Sequence, residues 1–289
     1  MERIIGIDIG GTKISMGKIA DNKLLTELNF PTNAARPKEE IIEDIINGIG
    51  KLNDPDVVGI GIGVPGLVDE KDGIIYDLTN IPSWKEVHLK KHIEDAFEKP
   101  VRVSNDANCF ALGEKVFGKG EKYKNLVGIT LGTGVGAGII VNGELCTGKL
   151  SIAGEFASIP YKDRNYEFYC SGKFFVENYG LTGKEVHDRA LSGDIKAIRI
   201  LDEYGENLGD LIKTILLVLG PEAIILGGSG AKSFRFFQKA MMESIRQFPF
   251  KRIIKNLAIE VSKNEKIALF GAAALIYSDL AFQNKKTTV

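Results

Sequence analysis

Two glycine-bearing segments constrain the fold of this chain more than any other feature of its sequence. Asp8–Lys13 reads Asp-Ile-Gly-Gly-Thr-Lys after a short apolar run, and Gly128–Gly138 carries alternate glycines after a second apolar run. Glycine lets the backbone approach a phosphate closely, and successive N–H groups around such a turn form an anion-binding cradle. Two such turns roughly 120 residues apart predict a nucleotide bound by two similar halves of the chain. This arrangement indicates phosphoryl transfer.

The apolar pattern predicts an α/β protein in which helices cover a mixed sheet. Strands in a meander come first and then alternate with helices, and the second half of the chain repeats this order. The expected strands are Arg3–Ile9, Lys13–Ile19, Leu24–Phe30, Val57–Ile62, Val101–Ser104, Leu126–Leu131, Ala137–Val141, Glu144–Cys146, Ala223–Leu226 and Leu257–Val261. The expected helices are 38–52, Leu89–Glu98, Ala107–Phe117, two helices within Gly183–Leu219, Phe237–Phe248 and Glu265–Phe282. The repeated order predicts a domain boundary near residue 107.

Composition limits the partners of this chain. Its 289 residues include 37 basic and 38 acidic side chains, so no overall electric field attracts it to nucleic acid or to a membrane surface. The N-terminus does not resemble a signal peptide, and no apolar run approaches the ~20 residues of a membrane span. Three dispersed cysteines argue against a disulfide framework. We therefore expect a cytoplasmic protein without nucleic-acid or membrane partners.

Two aspartates lie at predicted strand ends, where ligands bind in α/β sheets. Asp8 precedes the first glycine turn and could hold Mg²⁺ directly or through water, or it could simply cap the turn. Asp106 follows the strand Val101–Ser104 and could accept a proton from a hydroxyl group that attacks a γ-phosphate. A helix N-cap is the alternative role for Asp106. The two glycine turns favour the catalytic interpretation.

Several other residues in predicted loops could bind a nucleotide or a sugar. Thr12 and Thr133 could donate hydroxyl groups to phosphate, and Gly227-Gly228-Ser229 ends a strand where a base and its ribose could lie. Trp84 could cover a sugar or close a small core. The candidates for hydrogen bonds to sugar hydroxyl groups, each of which could instead be an ordinary loop residue, are Asn80, Glu155 and Glu167. We interpret all three histidines as surface residues: His88, His92 and His187.

Taken together, these segments resemble the ROK family of bacterial and archaeal sugar kinases and repressors, within the actin/hexokinase-like superfamily. The resemblance covers nearly the whole chain, and it lies in the order and spacing of short motifs that are unspecific one by one. The motifs are Gly6–Lys13, Gly61–Gly66, Asn80–Trp84, Asn105–Asn108, Gly132–Gly138, Ala153–Glu155, Gly227–Gly230 and Gly271–Leu275. In this order and at these spacings, the set is specific.

The resemblance implies an α/β fold of two ribonuclease-H-like (actin-like ATPase) domains with a cleft between them. The first domain would be residues 1–107 and the second 108–269, with a closing helix of about 270–289 that packs back on the first. ATP with Mg²⁺ would contact Asp8, Gly10, Gly11, Thr12, Lys13, Gly132, Thr133, Gly134, Gly136, Gly227, Gly228 and Ser229. Asp106 would be the general base acting on a hexose hydroxyl, usually the 6-hydroxyl. The sugar would contact Gly66, Asn80, Asn105, Asp106, Glu155 and Glu167.

One segment departs from the family. Most members carry a histidine three residues after the glutamate that matches Glu155, followed by three clustered cysteines, and these residues hold a structural zinc. Here Ser158 replaces the histidine, and Ile159–Glu167 contains no cysteine. We therefore expect no structural zinc and a loop held by packing, in which the aromatic candidates are Tyr161, Tyr166, Phe168 and Tyr169. The family's histidine also contacts the sugar, so its loss leaves the identity of the sugar open.

The leading hypothesis is an ATP-dependent hexose kinase, with glucose as the expected substrate and a homodimer as the expected assembly. Fructose, mannose and N-acetylhexosamines are the alternative substrates. A second hypothesis is a sugar-sensing transcriptional regulator, but such repressors carry an N-terminal helix-turn-helix for which we expect no room ahead of the first strand. A third is a catalytically silent sugar-binding protein, against which the intact Asp106 and both glycine turns argue.

Overall fold

The computed structural model describes residues 2–286, with side chains described as far as residue 277. The first part of the chain forms β1 (Arg3–Ile9), β2 (Lys13–Ala20), β3 (Lys23–Pro31), α1 (Lys38–Leu52), β4 (Val57–Val64), β5 (Leu67–Asp69), β6 (Ile74–Tyr76), β7 (Glu86–Val87), α2 (Leu89–Phe97), β8 (Val101–Asn105) and α3 (Asp106–Phe117). The second part forms β9 (Leu126–Leu131), β10 (Val135–Val141), β11 (Glu144–Cys146), β12 (Pro160–Tyr161), β13 (Arg164–Asn165), α4 (Tyr166–Cys170), α5 (Gly172–Tyr179), α6 (Gly183–Leu191), α7 (Ile195–Leu219), β14 (Ala223–Gly227), α8 (Phe234–Arg246), α9 (Lys251–Asn256), β15 (Ala258–Val261) and α10 (Ile267–Lys286). Three short 3-10 turns lie at Lys149–Ser151, Phe156–Ser158 and Gly230–Ser233.

Contacts between residues divide the chain into two units. The first unit contains the chain up to Glu121, the segment Leu145–Ala153 and the segment that starts at Lys266. The second contains Lys122–Glu144 and Gly154–Glu265. Helices α3 and α10 therefore belong to the first unit. The domain limits expected at residues 107 and 269 stay predictions.

The first unit contains a five-stranded sheet in the order β3-β2-β1-β4-β8. Strands β1, β2 and β3 form an antiparallel meander, whereas β4 and β8 run parallel to β1. Strand β4 reads Val-Val-Gly-Ile-Gly-Ile-Gly-Val, so its large side chains alternate with glycines. Because successive residues of a strand point to opposite faces, one face of β4 presents isoleucine to the core and the other allows a helix to approach closely.

Helix α10 packs against the glycine-bearing face of β4 in the first unit. A Cβ atom at Gly61 of β4 would lie 1.8 Å from the carbonyl oxygen of Ala272, and a Cβ atom at Gly271 would lie 1.7 Å from the carbonyl oxygen of Cys109 in α3. Neither position can carry a larger residue without moving the backbone. The small residues Gly271–Ala274 therefore place α10 against both α3 and the sheet.

The second unit repeats the pattern of the first. Four of its strands lie in the order β10-β9-β14-β15, with β10 antiparallel to β9, and with β14 and β15 parallel to β9. The long helix α7 packs on α8, and a Cβ atom at Gly205 would lie 2.5 Å from the carbonyl oxygen of Phe237. The carboxyl ends of β9 and β14 lie at one edge of this sheet, where ligands bind in α/β proteins.

The order of the predicted strands and helices is confirmed, while several short elements were not predicted. Strands β5, β6 and β7 and helices α4, α5 and α9 are too short for a clear apolar period. Helix α8 begins at Phe234, three residues before the predicted start, because a 3-10 turn leads directly into it. Within residues 2–286, no helix is long and apolar enough to cross a membrane.

Candidate active site

Asp8 and Asp106 lie at the same edge of the first unit's sheet. The register aligns Asp8 of β1 with Gly63 of β4, and Gly63 with Ser104 of β8, two residues before Asp106. Neighbouring strands are roughly 5 Å apart, so Asp8 lies one strand spacing from Gly63. A Cβ atom at Gly63 would lie 3.1 Å from Sγ of Cys109 and 3.6 Å from Cα of Asp106. Glycine at this position therefore leaves room for the start of α3.

The carboxyl groups of both aspartates are poorly solvated. Burial raises the pKa of Asp8 from 3.8 to about 6, the charge of Asp106 adds to this rise, and Lys13 opposes it. Burial also raises the pKa of Asp106, while hydrogen bonds from the backbone N–H groups of Ala107 and Asp106 itself oppose the rise. A carboxylate with a raised pKa is a better proton acceptor than a solvated one. Paired carboxyl groups with perturbed pKa values are typical of functional sites.

The helix N-cap beside this pair is Asn105 rather than Asp106. Oδ1 of Asn105 accepts hydrogen bonds from the N–H groups of Ala107 (2.8 Å) and Asn108 (3.4 Å), and its Nδ2 donates to the carbonyl oxygen of Gly66 (3.1 Å). Asp106 is the first residue of α3, so its carboxylate is not needed as the cap. The cap interpretation of Asp106 is therefore wrong. The structure also brings the predicted sugar ligands Gly66 and Asn105 into direct contact.

The first glycine turn lies against the loop that carries Asn80. The turn Gly10–Lys13 joins β1 to β2, and a Cβ atom at Gly11 would lie 2.8 Å from Cβ of Asn80. Because any side chain at Gly11 would collide with this loop, glycine is needed here. The side chains of Thr12, Lys13 and Asn80 are exposed. Trp84 is fully buried in the core of the first unit, so it does not cover a ligand site.

Three glycine-bearing segments meet at the carboxyl edge of the second unit's sheet. Strand β14 runs parallel to β9, so the turns that follow the two strands lie side by side. Gly228 has a φ of +79°, and a Cβ atom there would lie 2.3 Å from the carbonyl oxygen of Leu131. The N–H group of Gly172 donates to the carbonyl oxygen of Gly132 (2.8 Å). The second glycine turn is thus fixed from two sides.

These segments line a cavity of about 660 Å³ in the second unit. This volume lies within the usual range of small-molecule sites. The lining includes the predicted cofactor residues Gly132, Thr133 and Ser229, whereas Gly134, Gly136, Gly227 and Gly228 lie outside it. Its apolar wall consists of Phe175, Val176, Leu201 and Tyr204. Its basic residues are Lys173, Lys184, Lys232 and His187, and its acidic residues are Glu177 and Asp188. An apolar wall beside a glycine turn and basic side chains suits a purine base joined to phosphate groups.

The interpretation of His187 as a surface residue is wrong. His187 is partly buried, lines the cavity, and has its Nδ1 at 2.8 Å from Oγ of Ser233, a hydrogen-bonding distance. The segment 172–188 contributes most of the cavity lining, although no motif in its sequence predicts a ligand site. Thr182 and Glu185 form a capping box that marks the start of α6. That signal locates a helix, but it does not indicate a binding site.

The two glutamates expected to contact a sugar have different environments in the second unit. Oε2 of Glu167 accepts a hydrogen bond from the backbone N–H group of Val135 (2.8 Å), and Nζ of Lys173 donates to its Oε1 (3.1 Å). A Cβ atom at Gly134 would lie 3.0 Å from Oε1 of Glu167. Glu167 therefore supports the second glycine turn. Glu155 is exposed and precedes the second 3-10 turn.

The aromatic residues of the loop Ile159–Cys170 pack together, as expected. Tyr161 and Tyr166 are stacked, with ring centroids 4.3 Å apart and planes 14° apart. Tyr169 packs edge-on against Tyr161 (5.3 Å) and against Phe168 (4.9 Å). In the part of the chain that the structure describes, no group of three or more His, Cys, Asp or Glu side chains is arranged to hold a metal ion. The ring contacts join the segment that carries Tyr161 to α4.

Known proteins share both the sequence pattern and the fold. The model of the ROK family matches residues 4–279. The chain is 28% identical to the glucokinase of Thermotoga maritima, over 95% of this chain and 97% of that protein. It is 27% identical to the N-acetyl-D-glucosamine kinase of Mannheimia succiniciproducens, over 94% and 98% of the two chains. Among solved structures, the ROK family glucokinase of Streptomyces griseus in complex with glucose and AMPPNP aligns with a TM-score of 0.81, 28% identity, and coverage of 94% and 98%.

These similarities identify both the fold of the chain and its protein family. The fold is the two-domain actin-like ATPase fold, in agreement with the repeated sheet topology of the two units. Within that class, the chain belongs to the ROK family, because the family model covers nearly its whole length. The cleft expected between the domains stays a prediction.

Proposed function

We propose that this protein transfers the γ-phosphoryl group of ATP to a hexose, and that glucose is phosphorylated at its 6-hydroxyl. The pair of poorly solvated carboxyl groups, Asp8 and Asp106, carries this proposal. Such a pair beside a glycine turn provides one group to hold a cation and one to accept a proton. The kinases among its relatives support the assignment to a sugar kinase.

Asp106 acts as the general base in this proposal. Its carboxylate accepts the proton of the attacking sugar hydroxyl while the new O–P bond forms. The bond between the γ-phosphorus and the bridging oxygen breaks, and ADP leaves with that electron pair. Burial favours proton uptake by raising the pKa of Asp106. General-base assistance of this kind contributes a factor of roughly 10² to 10⁴.

Asp8 and the first glycine turn would serve the phosphate end of the nucleotide. Mg²⁺ prefers carboxylate oxygens, and the Asp8 carboxyl group fits that preference. A bound cation would also offset the repulsion between Asp8 and Asp106, which contributes to the raised pKa of Asp8. When bound, Mg²⁺ would neutralise charge on the phosphate groups. The exposed side chains of Thr12 and Lys13 could contact the same phosphates.

The cavity of the second unit would bind the nucleoside. Its apolar wall would contact the base, and the turn with Gly132 and Thr133 would face the phosphates. Ser229, at the end of β14, would hydrogen-bond to the ribose or the base. The residues proposed to contact the sugar are Gly66, Asn80, Asn105, Glu155 and Glu167.

An N-acetylhexosamine is the second candidate substrate, followed by mannose and fructose. The specific reason is that an N-acetyl-D-glucosamine kinase matches this chain about as well as a glucokinase does, at 27% and 28% identity. The exposed loop around Ser158, where most of the family carries a sugar-contacting histidine, is the place where the choice of sugar would differ.

The test is ADP release from Mg·ATP with a panel of hexoses and N-acetylhexosamines. The proposal predicts strong turnover with one sugar, and none with the 6-deoxy form of that sugar, which can still bind but lacks the accepting hydroxyl. Phosphorylation of another hydroxyl, identified by phosphorus NMR, would refute the 6-hydroxyl assignment. If no sugar of the panel causes ADP release while calorimetry still detects sugar binding, the protein is a non-catalytic sugar sensor and the kinase proposal is wrong.

A further inference from the structure

Glu167 holds the second glycine turn in its observed conformation. Its Oε2 accepts the backbone N–H group of Val135 (2.8 Å), and its Oε1 lies where a Cβ atom at Gly134 would approach to 3.0 Å. The carboxylate is 25% exposed and is paired with Lys173 (3.1 Å). A displacement of about 1 Å would lengthen the bond to Val135 beyond hydrogen-bonding distance. The turn that lines the cavity therefore depends on where Glu167 is held.

The helix that carries Glu167 needs support from outside itself. Helix α4 has only five residues, and isolated helices of this length are not stable. It is attached to α7 by Tyr166, whose hydroxyl oxygen lies 2.8 Å from Oγ1 of Thr214 and donates to the carbonyl oxygen of Asp210 (3.3 Å). The ring of Tyr161 stacks on the ring of Tyr166, with centroids 4.3 Å apart. Tyr204 of α7 holds the far end of α4 by donating to the carbonyl oxygen of Cys170 (2.7 Å). The end that carries Glu167 therefore depends on Tyr161 and Tyr166.

Helix α7 holds Tyr161 mainly through one carboxylate, and Oδ1 of Asn207 is a second, longer acceptor for the Tyr161 hydroxyl group (3.2 Å). The hydroxyl group of Tyr161 donates to Oδ2 of Asp210 (2.6 Å). Asp210 is itself fixed, because Ser244 of α8 donates to its Oδ1 (2.6 Å) and Nζ of Lys213 lies 2.8 Å from the same oxygen. Hydrogen bonds to an ionised acceptor are shorter and about twice as strong as those between neutral groups. Asp210 thus connects the aromatic loop to two rigid helices.

We propose that the hydrogen bond between Tyr161 and Asp210 positions Glu167, and through Glu167 the glycine turn Gly132–Val135. Tyr161 is a positioning residue, since it acts through Tyr166 and α4 rather than on a substrate. The consequence for the turn stands on the contacts of the second unit alone. The consequence for nucleotide binding rests on the proposed function.

The substitution Tyr161→Phe tests the proposal, because it removes one oxygen atom and keeps the stacked ring. Tyr169→Phe is the matched control, since Tyr169 belongs to α4 but its hydroxyl group donates to Asp163 within the same loop. We expect the N–H group of Val135 to exchange with deuterium roughly 10-fold faster in Tyr161→Phe, and at the wild-type rate in Tyr169→Phe. Unchanged exchange in a folded Tyr161→Phe variant, or an equal increase in both variants, would overturn the proposal.

A double substitution separates positioning from a general loss of stability. In Glu167→Ala the N–H group of Val135 has already lost its acceptor, so adding Tyr161→Phe should not accelerate its exchange further. A further increase in the double variant would show that Tyr161 acts by another route. If the wild-type protein phosphorylates a sugar, the KM for ATP should rise several-fold in Tyr161→Phe with a smaller change in kcat. An inactive wild-type protein would count against the proposed function, while the exchange rates would still decide this inference.

Discussion

Replacing Asp8 with asparagine should stabilise the folded protein at neutral pH, even though it removes a residue proposed to serve catalysis. Burial and the charge of Asp106 raise the pKa of Asp8 from 3.8 to about 6, so ionisation of this group is less favourable in the folded state than in the unfolded state. Asparagine has nearly the same shape and carries no charge. The variant therefore keeps the packing at the end of β1 and loses the unfavourable ionisation.

The size and pH dependence of this effect follow from the pKa. The difference between 3.8 and about 6, at ~1.4 kcal/mol per pKa unit, corresponds to about 3 kcal/mol. The folded state binds this proton more tightly, so the free energy of unfolding falls as the pH rises from about 4 to about 6 and falls no further above that range. The asparagine variant lacks this decrease. Its advantage over the wild-type protein should be about 2.5 kcal/mol larger at pH ~7.5 than at pH ~4, because a small part of the decrease is already present at pH ~4.

Urea unfolding at the two pH values, followed by the fluorescence of the single tryptophan, measures this difference. Asp54→Asn is the control in the same unit, because Lys18 and Arg3 hold the pKa of Asp54 at about 2, below its ordinary value. That variant should be less stable than the wild-type protein at both pH values. An advantage of Asp8→Asn that is equal at both pH values, or larger in acid, would refute the reasoning.

Further predictions concern the glycines and the proposed base. Gly271→Ala should lower the free energy of unfolding by at least ~3 kcal/mol, because the added Cβ would collide with α3. Gly50→Ala should raise the free energy of unfolding by ~0.5–1 kcal/mol, because Gly50 lies in α1 with open space around it. Urea unfolding measures both changes. Gly228→Ala should weaken binding of an ATP analogue in calorimetry, whereas Gly180→Ala, with a similar positive φ but no neighbour to hit, should not; equal losses would contradict this. The kcat/KM of the kinase should decrease toward acid pH as Asp106, with its raised pKa, takes up a proton, and a profile that stays flat down to pH ~4 would contradict its role as the base.

The sequence identified most of the first unit's candidate site because that site depends on strand ends. Asp8 and Asp106 each follow a short apolar run, and the carboxyl ends of parallel strands lie at one edge of a sheet. The sequence could not decide which of Asn105 and Asp106 caps α3, since both residue types cap helices well. Asn105 is the cap because its Nδ2 donates to the carbonyl oxygen of Gly66. That hydrogen bond orients the Asn105 side chain with Oδ1 facing the helix.

The second unit's cavity was only partly predictable. Gly132 and Ser229 belong to glycine-bearing turns that local chemistry reveals, whereas the segment 172–188 lines the cavity through tertiary packing. His187 faces the cavity because α6 packs beside the Gly230–Ser233 turn, where His187 contacts Ser233. The residues next to His187 in the sequence do not predict this contact. The hydrogen bond between Tyr161 and Asp210 likewise joins residues 49 positions apart. Local patterns cannot reveal such long-range pairs.

The most direct test of the proposed function compares turnover and binding in Asp106→Asn. ADP release from Mg·ATP is measured with the best sugar of the panel, and sugar and nucleotide binding are measured by calorimetry on the same preparation. We predict that kcat falls by a factor of roughly 10² or more while both dissociation constants stay within about threefold of the wild-type values. Near-normal turnover in this variant would remove Asp106 from the mechanism and contradict the account.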